Sequence, residues 1–255
     1  MKVSVNVALV TLIVIFLFVG CSKGDITSSD SISTTVANDA NTLDLSNCKI
    51  RRIYNGPLGA EGTSTGLFSY NKVGNPYSIL FSPGGLVDYH FFYDSKNRLT
   101  AHTESGYGLV FRHYYRHNAL GQIVIDSAVN PGSDTKDTTI VVSTIEYDSQ
   151  GRIVKETIVS WDTDSPYNKA TRRPTYTYDN RGNLGVTGWK SSSYDYKISP
   201  LRQNAVFQFI TRNYSTNNPA RQARYNSKGL PLSLTPSNYN FFGFIDLTKI
   251  IYDCQ

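Results

Sequence analysis

Hydrophobic and polar positions change rhythm twice along the 255 residues. From Val7 to Val19 the apolar residues run almost unbroken, including Leu9, Val10, Leu12, Ile13, Val14, Ile15, Phe16, Leu17 and Phe18. Residues 22 to 45 are rich in Ser, Thr, Asp and Asn and contain no aromatic residue. From residue 46 onward, short β-branched and aromatic runs alternate with polar positions between Gly, Asn, Asp and Pro. Such alternation marks half-buried strands joined by turns, and no long Leu/Ala/Glu/Lys stretch at helical spacing breaks it. Thr144-Ile145-Glu146-Tyr147, followed after a turn by Ile153-Val154-Lys155-Glu156-Thr157-Ile158-Val159, predicts two strands of one hairpin. The pattern predicts an all-β domain over residues 46–255.

Within that domain one motif recurs. It stands as Tyr70-Asn71-Lys72-Val73-Gly74, Tyr93-Asp94-Ser95-Lys96-Asn97 and His117-Asn118-Ala119-Leu120-Gly121. It returns as Tyr147-Asp148-Ser149-Gln150-Gly151, Tyr178-Asp179-Asn180-Arg181-Gly182 and Tyr225-Asn226-Ser227-Lys228-Gly229. Asp or Asn at the first position of a type I turn bonds back to the backbone two residues on. Gly, or Asn97, falls three places later, where a type I turn followed by a bulge needs positive φ. The tyrosine closes the incoming strand, and a residue such as Leu99, Ile153 or Leu184 opens the outgoing one. The interval between the last two tips is 47 residues, against 23 to 31 elsewhere. A degenerate hairpin is expected there, around Tyr194 to Asn213.

These tips resemble the YD-repeat (Rhs-type) family, and in particular its small lipoproteins from Gram-negative envelopes. The likeness covers roughly residues 48 to 254, with Tyr147 to Ile153 a near-ideal copy. It implies an antiparallel meander of YD-repeat hairpins, about a dozen strands, strongly twisted and curled into a rolled or partly closed sheet. Large members of the family wind such hairpins into a shell around a toxin, for which this chain is too short. Repeat architectures of this kind serve binding or scaffolding through a broad surface.

The first zone gives the address. A charged start (Met1, Lys2), an apolar core and a small residue before the cut describe a secretory signal over residues 1–20. An uncleaved signal anchor is the alternative, although the run is short against the roughly 20 residues needed to span a bilayer. Phe18-Val19-Gly20-Cys21 resembles the lipobox of bacterial lipoproteins, which makes Cys21 the lipidation site and first mature residue. Residues 21–45 then form a flexible tether, too poor in apolar surface to offset the entropy of ordering. The expected location is the bacterial cell envelope, on the outer membrane; Ser22-Lys23-Gly24-Asp25 does not decide between its periplasmic and surface faces.

Cysteine use fits an oxidising compartment. Besides Cys21 there are Cys48 and Cys254, at opposite ends of the domain, which suggests a disulfide between first and last strands. Two free thiols are the alternative. A net charge of +5 and a pI near 9.0 are spread along the chain without a basic cluster, so nucleic acid is not an expected partner.

Candidate chemistry is sparse. His113 and His117 could share a strand face, but His117 holds a repeat tyrosine position, and neither a metal nor any other cofactor is expected. Glu104, Asp126, Glu146 and Glu156 are the strand-borne carboxylates that paired acid–base hydrolysis would use. Gly-x-Ser-x-Gly, Walker and dinucleotide glycine motifs are absent. Trp161 and Trp189 follow outgoing repeat strands and could stack on sugar rings, or else plug the core. The expected role is a non-enzymatic binding or scaffold module for an envelope protein or glycan, the alternative a carbohydrate-active hydrolase or lyase.

Overall fold

Each alternating run becomes a strand, and successive strands pair as neighbours. The computed structural model describes residues 48–55, 64–82, 87–106, 108–131, 138–185, 194–219, 224–234, 242 and 247–254. Cys21, Trp189, the signal segment 1–20 and the tether 21–45 lie outside the described residues. The first strands are β1 (Cys48–Asn55), β2 (Ser64–Tyr70), β3 (Pro76–Ser82), β4 (Asp88–Tyr93) and β5 (Leu99–Gly106). They are followed by β6 (Leu109–His117), β7 (Ile123–Pro131), β8 (Thr138–Tyr147), β9 (Ile153–Asp162) and β10 (Ala170–Arg172). These ten form a meander, and β17 (Leu247–Cys254) adds to the free side of β1, making one antiparallel sheet of 11 strands. Short two-stranded hairpins lie between: β11 (Thr177–Tyr178) with β12 (Leu184–Gly185), β13 (Tyr194–Ile198) with β14 (Asn217–Pro219), and β15 (Arg224–Tyr225) with β16 (Pro231–Ser233). Among the described residues no helix is long and apolar enough to cross a membrane.

All six tips share one hydrogen-bond pattern. In the copy at 147, the Asp148 N–H donates to the Arg152 carbonyl (2.9 Å) and the Gly151 N–H to the Asp148 carbonyl (3.1 Å). The Asp148 carboxylate accepts from the Gln150 and Arg152 amides, each at 2.9 Å. Asn71, Asp94, Asn118, Asp179 and Asn226 repeat this arrangement. Asn71, Asn118 and Asn226 thus serve as well as aspartate, because the geometry asks only for an acceptor oxygen. The fourth tip residue has positive φ throughout, from 58° at Asn97 to 89° at Gly74. Placing Cβ in that region costs roughly 1–2 kcal/mol, so Gly151→Ala should lower stability by about that amount in denaturant titration. An unchanged midpoint would contradict the turn assignment.

The tyrosines tie each hairpin to the one before it. The Tyr93 hydroxyl donates to the Pro76 carbonyl, Tyr147 to Ile123 and Tyr178 to Ile153, at 2.7 to 2.9 Å. In each case the acceptor opens the outgoing strand of the preceding hairpin. Tyr70 bonds Ile50 in the same manner, and His117 has no hydroxyl to offer. Tyr194 to Leu184 and Tyr252 to Pro231 continue the pattern at positions that lack the tip glycine.

The 194–213 region departs from expectation. Tyr194-Asp195 begins like another copy, with Asp195 accepting from the Lys197 amide, but no tight turn follows. A 3-10 turn (Pro200–Gln203) and helix α1 (Ala205–Thr211) fill the space before β14 completes the hairpin. Ser199 and Asn204 cap the two segments with side-chain oxygens, which satisfies backbone amides that would otherwise lack partners. Val206, Phe207, Phe209 and Ile210 face the sheet, but seven residues are too few to register as a helical period. Phe207 meets Phe68 edge-on at 5.7 Å and Phe209 meets Tyr115 at 5.2 Å. With Ile50, Ile53, Ile79, Phe91 and Leu247, they make the core on the inner face of the sheet.

Candidate functional site

His113 and His117, four residues apart on β6, face different partners. His117 lies opposite Ile123 at a hairpin tip, whereas His113 lies opposite His102 of the neighbouring strand. That cross-strand pairing stacks the two imidazoles with centroids 4.2 Å apart and begins a polar row across the inner face. The His102 Nδ1 lies 2.5 Å from the Tyr115 hydroxyl, and its Nε2 lies 3.0 Å from Glu104 Oε1. The His113 Nδ1 lies 2.9 Å from Asp126 Oδ1.

Arg212 completes the row. It stands at the left-handed C-cap of α1, with φ 53°, and its guanidinium reaches down onto the sheet. Nη2 bonds Asp126 Oδ2 at 2.8 Å and Nε bonds Glu156 Oε1 at 3.2 Å, while Nη1 donates to the Phe209 carbonyl at 2.6 Å. Glu156 also accepts from the Tyr176 hydroxyl at 2.5 Å. Of the four carboxylates expected from sequence, Asp126 and Glu156 meet at one arginine, Glu104 joins through His102, and Glu146 pairs outside with Lys155 at 2.6 Å.

Charge in this row is set by burial and pairing together. Burial alone would push the Asp126 carboxyl up, but the His113 hydrogen bond and charge, with Arg212, hold it below the ordinary 3.8. Burial lowers the Arg212 pKa, and Glu156 and Asp126 more than restore it, so the guanidinium stays charged. Asp126 and Glu156 are 8% and 3% exposed at the side chain. Their oxygens are held by Arg212, His113 and Tyr176.

Burial pulls the His102 imidazole below its ordinary 6.5, with the Glu104 hydrogen bond opposing. The folded chain therefore releases this proton at lower pH than the unfolded chain. The stability is complete above about pH 6.5, and falls as acid protonates the unfolded state first, until the folded value is passed. Asp126 adds a second loss as pH falls below the carboxylate range. Denaturant titration should show declining stability from pH 7 to 5, and His102→Gln should shrink that decline. His117, also lowered by burial, contributes in the same direction. A decline equally large in His102→Gln would contradict the assignment.

The remaining predicted residues separate. Cys48 and Cys254 are directly opposite in the β1–β17 ladder and form a disulfide. Trp161 lies opposite Ile140 on the outer face, half-buried, with the Lys169 ammonium 5.1 Å from its ring centroid. The tips surround a cleft of about 460 Å³ against α1, lined by Tyr93, Leu99, Ile123, Tyr147 and Val206 among others. It offers mainly apolar surface, without converging charge. Sequence reasoning missed Arg212, which is 86 and 56 residues from its two carboxylates, and no local signal marks it. Tyr194 and Tyr252 carried one, the Tyr-Asp dipeptide.

On the outer face, cross-strand partners line up as Phe92, Ala101, Tyr114, Ser127, Val142 and Val159 from β4 to β9. Phe92 and Tyr114 are 49% and 51% exposed. A second row holds Arg112, Val129, Ile140 and Trp161. No family model matches the sequence, and no curated protein matches it.

Proposed function

We propose that the chain is a lipid-anchored envelope protein of YD-repeat type that binds a partner protein through the outer face of its sheet, without catalysis. The observation that carries this reading is the row from Phe92 to Val159, apolar at every position but Ser127. Exposed aromatics and β-branched residues in contiguous rows mark interaction surfaces on soluble domains. The aliphatic share of that surface (Val129, Ile140, Val142, Val159) suits a protein better than a glycan, which asks for aromatic platforms flanked by hydrogen-bonding groups. The carboxylates tied to Arg212 weigh against hydrolysis.

The family reading draws support from six tips with one hydrogen-bond pattern and from the hydroxyl ladder that links successive hairpins. A rolled, partly closed shape is part of the proposal. Pairing of β17 with β1 and continuation of the ladder through Tyr178, Tyr194 and Tyr252 favour it. The lipobox resemblance at Phe18 to Cys21 supports anchoring, with residues 22–45 as spacer.

The test is a cross-linked pull-down of the full-length chain from its native envelope, analysed for protein and sugar. A stoichiometric protein partner, absent for a Tyr114→Asp chain, is expected. A glycan as the sole partner, or recovery of the chain alone, would overturn the reading. Cys21→Ala should leave the membrane fraction or remain as unprocessed precursor, and normal acylation of that variant would refute the anchor.

A further inference from the structure

We propose that His102, Glu104 and His113 form a binding site for a divalent transition-metal cation of the zinc type. Each offers one ligand atom, and these atoms lie within 4.8 Å of one another. The donors of a tetrahedral zinc site, at ~2.0–2.1 Å from the ion, stand about 3.4 Å apart. The His102 Nε2 and Glu104 Oε1, 3.0 Å apart, already meet that spacing. Turning the His113 ring out of its stack on His102 would bring it onto the ion and complete a three-ligand set with a fourth position open.

The surroundings favour the ion in two ways. The His113 Nδ1 lies 2.9 Å from Asp126 Oδ1, which leaves Nε2 as the nitrogen to offer the ion. A carboxylate behind a ligating histidine is the usual orienting arrangement in metal sites. For His102, the Nε2 proton moves to Nδ1, which then donates to the Tyr115 oxygen already beside it. The local charge is also suitable. The Arg212 guanidinium is already paired with Asp126 and Glu156, and Glu104 brings a carboxylate to the ion itself. His2Glu donors of mixed nitrogen and oxygen suit zinc more than calcium or magnesium, which take oxygen ligands. The site is independent of the outer face, and its presence does not depend on the binding reading above.

The full-length chain, purified in detergent and stripped with chelator, would be loaded with zinc, desalted and assayed for metal. About one zinc per chain is expected for wild type, with a rise in its unfolding midpoint as bound ligand stabilises the folded state. His113→Ala and Glu104→Gln should each lose the retained zinc and the midpoint shift, while His117→Ala keeps both. Near-ultraviolet circular dichroism of the stripped variants establishes that they are folded. If one variant does not fold, the other decides. Wild type without retained zinc would overturn the proposal. So would folded His113→Ala or Glu104→Gln chains that bind as wild type does, or loss of zinc in His117→Ala alone.

Discussion

Arg212→Ala should lower the unfolding midpoint by about 6–20 °C, more than any other single substitution away from the disulfide. The side chain bridges Asp126 on β7 and Glu156 on β9. Removing it leaves two nearly buried carboxylates without the guanidinium that bridges them. Breaking a buried ion pair by deleting one partner costs about 3–5 kcal/mol, and each kcal/mol moves the midpoint of a domain this size by roughly 2–4 °C. The source of the loss can be separated from lost packing. Arg212→Met combined with Asp126→Asn and Glu156→Gln should recover a large part of it, because the uncompensated charge is then gone. Arg212→Lys should fall between, keeping charge without the planar fork that reaches both carboxylates. An Arg212→Ala midpoint within about 2 °C of wild type, inside a single kcal/mol on the same scale, would mean that the row carries no weight in stability.

Loss of the Cys48–Cys254 bond should have a similar effect by a different route. The cross-link spans 206 residues, nearly the whole domain, and chain entropy sets an upper bound of about 5 kcal/mol on its contribution. Cys48→Ser with Cys254→Ser, or reduction of the wild type, should lower the midpoint by as much as about 10–20 °C on the same scale. The first strands to open are then β1 and β17, since their pairing closes the longest loop. Hydrogen exchange should show the Ile250 and Tyr252 amides losing protection before those of Ile145 or Ile153. A midpoint unchanged by reduction, or uniform loss of protection, would contradict this picture.

The meander was legible in the sequence because its determinants are local. Asp148 and Gly151, three residues apart, specify a turn whatever surrounds them, and the imperfect copies at 71, 118 and 226 fold to the same geometry. Alternation at Thr144 to Tyr147 told which residues face the core, and Ile145 is indeed buried. The disulfide was readable because only two cysteines stand in the domain, at its two ends. Helix α1 was not readable, since seven residues capped by Asn204 and Arg212 carry no helical repeat. The inner polar row was hidden for a deeper reason. His102 and His113 meet because one hairpin fixes their register, and Arg212 reaches Asp126 and Glu156 across 86 and 56 residues of sequence. Contacts that separate chain segments bring together leave no spacing signature in the chain.

The outer-face claim can be tested by placing a photo-reactive phenylalanine analogue at Tyr114 in the full-length chain within its native cells. Tyr167, in the β9–β10 connection and 96% exposed, is the control position. A single discrete protein adduct from position 114, absent from position 167 and abolished by Phe92→Asp, is the result this account predicts. No adduct at 114, or the same adducts from both positions, would contradict it.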